Sequence, residues 1–129
     1  MHPSYFLNVG MSENDPAREL KLPPEVSEWL FFTNYWAHLN QVGEASFAQY
    51  EEEVLTSQLI PSAIEALERI KGTLSATPTH DIQFVYGWNE RREEIFCTIS
   101  TSLLLEKVVC LEEFFLAALH MQADIYCQL

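Results

Sequence analysis

The stretch IQFVYGWNERREEIFCTIS, residues 82–100, decides the fold class of this chain. Ile82, Phe84, Tyr86 and Trp88 alternate with Gln83, Val85 and Gly87, the period-two pattern of a strand with one aromatic face. Asn89 to Glu93 is a charged turn, and Glu94 to Ser100 follows with Ile95, Cys97 and Ile99 on one side. Two such runs around a polar turn predict a β-hairpin.

On the C-terminal side, Leu104, Val108, Leu111, Phe115 and Leu119 recur at helical spacing, which predicts a helix over residues 103–121. Residues 123–129 return to period two, with Ile125, Cys127 and Leu129 against Asp124, Tyr126 and Gln128. If that strand lies parallel to a hairpin strand, its crossover through the helix is right-handed.

On the N-terminal side, Ile64, Leu67 and Ile70 continue a helix after Pro61, with Gly72 as its stop and residues 72–80 as a loop. Glu65 and Arg69 stand four apart on it, a surface pair worth roughly 0.3 to 0.5 kcal/mol. Phe47, Tyr50 and Val54 predict a further helix over residues 44–57. Residues 24–40 read as one helix opened by Pro23 and Pro24, with Glu25 and Glu28 at the positive end of its dipole. It is apolar around most of its girth, carrying Trp29, Phe31, Phe32, Tyr35 and Trp36. Residues 16–20 suggest a helical turn, and residues 5–9 an edge strand. The expectation is a single α+β domain over residues 1–129, with N-terminal helices followed by β-β-α-β and a small sheet covered by helices.

Charge narrows the function. The chain has 19 acids against 7 bases, a formal charge of −12. Residues 22–68 hold no Lys or Arg, but they carry Glu25, Glu28, Glu44, Glu51, Glu52, Glu53, Glu65 and Glu68. A field of that sign speeds encounter with cationic partners and repels nucleic-acid backbones and anionic membranes. Hydrophobic residues make up 48%, so the acids sit on a folded body rather than a disordered tail.

The motifs that carry chemistry are missing from the sequence. His2, His38, His80 and His120 are scattered, with no metal-ligand spacing, so neither a metal nor another cofactor is expected. Gly10, Gly43, Gly72 and Gly87 are isolated, which gives no phosphate-cradling loop, and Arg91-Arg92 is flanked by Glu90, Glu93 and Glu94. Adjacent glutamates on a helix point about 100° apart and do not converge on one substrate. His80, Asp81 and Cys97 form the least implausible catalytic trio, although Cys97, Cys110 and Cys127 all read as small buried hydrophobes. No catalytic residue is assigned. Three cysteines without CxxC spacing, no signal-peptide pattern and no apolar run of spanning length predict a reduced cytoplasmic chain with no membrane partner.

The leading expectation is an acidic protein-binding module of the immunity or antitoxin type. It would neutralise a basic protein, such as a nuclease toxin, through Glu44, Glu51 and Glu52 with Tyr50 and Tyr35 as aromatic anchors. The competing expectation is an adaptor or chaperone-like subunit, a homodimer included, built on the 24–40 helix, the 82–88 strand or an edge strand at either terminus.

Overall fold

The computed structural model describes residues 1–77 and 80–129. Its elements are β1 (Ser4–Asn8), a single 3-10 turn (Pro16–Arg18), β2 (Glu19–Leu22), α1 (Pro24–Phe32), α2 (Tyr35–Gly43) and β3 (Glu52–Leu55). They continue as α3 (Ile60–Ala76), β4 (Asp81–Trp88), β5 (Glu94–Ser100), α4 (Thr101–His120) and β6 (Ile125–Gln128). The fold is α+β, with two antiparallel sheets: one of four strands in the order β2-β1-β6-β3, and the hairpin β4-β5. Among the described residues no helix is long and apolar enough to cross a membrane.

The four-stranded sheet lays one face on the helices. Phe6 on β1 packs against Trp36 of α2 and Phe115 of α4, at ring-centroid distances of 6.1 and 5.9 Å. Leu22, Ile125, Cys127 and Leu55 bury beside it on the same face. Both terminal strands are therefore interior strands. The expected edges at residues 5–9 and 123–129 are corrected, because β1 lies between β2 and β6, and β6 between β1 and β3. No parallel crossover arises either, since β6 pairs antiparallel outside the hairpin sheet.

The expected 24–40 helix is two helices. Asn34 adopts a left-handed conformation (φ 62°), which asparagine tolerates better than most residues, and Thr33 Oγ1 donates back to the Leu30 carbonyl. The break answers the problem of a helix apolar on all sides. After it, Tyr35, Trp36 and Leu39 turn into the core on an axis of their own.

The expected 44–57 helix does not form. Glu44 and Tyr50 both take positive φ, and the segment ends in β3. Asn40 holds the connection: its Nδ2 donates to the Phe47 carbonyl (2.8 Å), and its Oδ1 accepts from the Phe47 N–H (2.7 Å). That pair seats the Phe47 ring 5.0 Å from Trp36.

Gly72 lies inside α3 with open space around it, so it is not the stop. The helix ends at Thr77, which is extended because a residue preceding proline is driven from the α region. Of the expected 72–80 loop, Pro78 and Thr79 lie outside the described residues.

The hairpin forms as expected, with one change of face. Pairing shifts between Val85↔Phe96 and Gly87↔Ile95, leaving Tyr86 as an extra residue. Beyond this bulge Trp88 pairs with Glu94 and joins the face of Val85 and Phe96, away from Phe84. The single aromatic face expected of Ile82, Phe84, Tyr86 and Trp88 is thus divided. Phe84 faces inward, 5.2 Å from Phe32, while Trp88 is 66% exposed.

Candidate functional site: the open face of the four-stranded sheet

Helices cover one face of the sheet; strand register defines the other. Alternation places two rows of residues on the outer face. Glu19, Leu7, Tyr126 and Val54 make one row across β2, β1, β6 and β3, and Lys21, Tyr5, Gln128 and Glu52 make the second. The grid spans about three strand spacings by one two-residue repeat, roughly 15 by 7 Å. Its middle columns hold two phenol rings, and Glu19 and Glu52 stand at diagonal corners.

Tyr5, Leu7, Glu19, Tyr126 and Gln128, with Phe6, line a groove of about 220 Å³ on this face. The Lys21 ammonium sits 5.4 Å from the Tyr5 ring centroid, so the face already holds one cation against an aromatic ring. Glu52 accepts from Gln128 Nε2 (3.3 Å). The Glu52 carboxylate beside the Tyr126 hydroxyl also raises the phenol above its ordinary pKa. At the β3 edge, Glu53 Oε1 accepts the Val54 N–H at 2.9 Å and so shields an edge donor.

The residues singled out from sequence fall in three places. Glu52 belongs to the grid, and Glu51 and Tyr50 adjoin it. The Tyr50 N–H donates to the Leu129 carbonyl (2.8 Å), and the Leu129 N–H donates to the Glu51 carbonyl (3.0 Å), which fixes both beyond the end of β3. Tyr50 is 68% exposed, with its ring edge-on to His2 at 5.3 Å. Glu44 is exposed at the C-terminus of α2, apart from the sheet face.

Tyr35 is 3% exposed, so its expected role as a surface anchor is corrected. Its hydroxyl donates to the Ala63 carbonyl (2.9 Å), and burial raises its pKa well above the ordinary value. Two acids are structural. Glu28 is buried and accepts from Gln49 Nε2 at 2.7 Å. Glu112 is buried against Lys71, which donates to it at 2.7 Å and whose pKa is raised by that bond. Arg69 lies 3.1 Å from His38 Nε2; the ion pair found among the described residues is Lys71–Glu112, not the expected Glu65–Arg69.

The trio of His80, Asp81 and Cys97 is not assembled. Cys97 pairs with Phe84 on the inner hairpin face, whereas Asp81 is exposed and pairs with Ser100 on the outer face. Burial raises the Cys97 thiol, and the Glu25 and Glu28 carboxylates push it the same way, opposite to what an activated thiolate needs. Among the described residues no cluster of three metal-ligating side chains occurs.

Sequence pattern alone does not mark Tyr5, Leu7, Glu19 and Tyr126 as site residues. Tyr126 carried a signal, since it alternates with the buried Ile125 and Cys127. β2 carried almost none, because four residues offer only two alternations. Comparison with family models, curated proteins and solved structures gives no match to this chain.

Proposed function

We infer that this chain is an acidic protein-binding module that captures a basic protein on the outer face of its four-stranded sheet. The observation that carries the reading is the uncovered grid itself, in which Tyr5 and Tyr126 stand among Leu7, Val54 and Gln128, with Glu19, Glu52 and Lys21 at three of the four corners. Phenol rings attract ammonium and guanidinium groups through their π faces, and tyrosine is enriched at interface hot spots. The grid is smaller than the ~800 Å² per partner of a stable complex, so contact runs past β3 onto Tyr50 and Glu51. The net charge of −12 adds long-range attraction, which raises association rate more than final affinity.

The role this chemistry suits best is inhibition of the immunity or antitoxin type, in which carboxylates occupy a cationic groove that otherwise holds phosphates. The test is affinity capture from the native host lysate at low and moderate salt, with mass spectrometry of the eluate. One basic protein should be recovered, lost with the double variant Glu19→Gln/Glu52→Gln and retained with Glu65→Gln/Glu68→Gln on α3. Equal loss in both variants, or no salt-sensitive protein at all, contradicts the reading.

A further inference from the structure

The hairpin presents a second surface that the acidic face does not use. β4 and β5 form a two-stranded sheet, and among the described residues their backbone bonds to other elements are confined to the hairpin ends. A two-stranded sheet is marginal by itself, and unpaired strand edges template further pairing. Its outer face carries Val85, Trp88 and Phe96, the last two 66% and 51% exposed, and the bulge at Tyr86 is what turns Trp88 outward. Residues 82–89 and 95–105 contain no charge; the charged residues stand at the root, Asp81, and around the tip, Glu90 to Glu94.

We propose that β5 pairs antiparallel with β5 of a second copy of this chain, joining the two hairpins into one four-stranded sheet, β4-β5-β5-β4. Electrostatics selects this occupant. Two bodies of charge −12 repel over most approaches, so a self-contact needs an uncharged strand and a register that opposes no like charges. β5 meets both conditions, since it is uncharged from Ile95 to Ser100 and its one charge, Glu94, stands at the strand end. A two-fold axis at Phe96 sets Glu94 opposite Thr98 of the other copy, and an axis at Cys97 sets it opposite Ser100. Either axis brings the two Phe96 rings beside each other on the outer face, where aromatic pairs favour association. The contact is isologous, as a closed two-fold dimer requires. Seven paired residues per chain bury less than the ~800 Å² per partner of a tight complex, which places the dimer in the micromolar range or weaker.

Sedimentation equilibrium of the full chain at low and high salt tests this. A monomer–dimer equilibrium should be present at roughly 100 μM and should shift toward dimer as salt screens the repulsion, the reverse of capturing a basic partner. Phe96→Lys and, separately, Thr98→Glu should weaken the dimer tenfold or more with circular dichroism unchanged, since both side chains are exposed. Val54→Lys on the other sheet should leave it intact. A monomer at every concentration and salt overturns the proposal. So does a dimer that survives Phe96→Lys and Thr98→Glu, or one that Val54→Lys dissolves.

Discussion

Asn40 is a small side chain with a large structural consequence. It supplies both a donor and an acceptor to Phe47, in a connection that neither helix nor strand spans. Asn40→Ala should cost about 2 to 3 kcal/mol in denaturant unfolding, because two backbone groups lose their partners. Tyr35→Phe should cost about 1 kcal/mol by the same measurement, for the one bond to Ala63, and should leave partner capture unchanged.

Groups whose pKa the fold raises also set the alkaline limit. Burial pushes the Cys127 thiol up to about 12, and Tyr35, Cys97 and Lys71 are raised as well. A raised pKa in the folded state gives stability that is complete below the unfolded pKa and lost as pH climbs toward the folded one. Unfolding free energy should therefore fall above about pH 9, with Cys127 contributing about 1.4 kcal/mol per pH unit until about 12. In Cys127→Ala that part of the slope should vanish. A stability flat between pH 9 and 11 contradicts the assignment.

Among the elements, those with long, regular periods were legible in the sequence. The sequence pattern places the hairpin, α4 and β6 within a few residues, because Leu104, Val108, Leu111 and Phe115 mark one helical stripe and Ile125 and Cys127 one strand face. Periodicity does not encode the backbone conformation that breaks a pattern. The left-handed Asn34 divides a run of aromatics that looks continuous, and Asn34→Val should destabilise by about 1 to 2 kcal/mol, since a β-branched residue resists that conformation. Phe47, Tyr50 and Val54 mimic a helical stripe, although Phe47 is fixed by Asn40 and Val54 lies on a strand. The bulge at Tyr86 is hidden in the same way, and it decides which face Trp88 occupies. Of the site, Glu51, Glu52 and Tyr50 could be picked from charge and residue type. Tyr5 and Tyr126 become neighbours of Glu52 only when β1, β6 and β3 come together, a juxtaposition of both chain termini with the middle that local pattern does not contain.

At the scale of the whole molecule the two sheets divide the surface by chemistry. One offers phenols bordered by Glu19, Glu52 and Lys21, the other an aromatic strand charged only at Glu94, with an unpaired edge. Salt separates them, because it weakens attraction to a cation and relieves repulsion between two acidic bodies. The central claim is that the four-stranded sheet is the cation-recognising face, and amide chemical-shift mapping of the labelled chain with a hexa-arginine peptide tests it most directly. The shifts should concentrate at Tyr5, Leu7, Glu19, Glu52, Tyr126 and Gln128 and fade as salt rises. Shifts gathered instead on the exposed Glu65 and Glu68 of α3, or none anywhere, would contradict it.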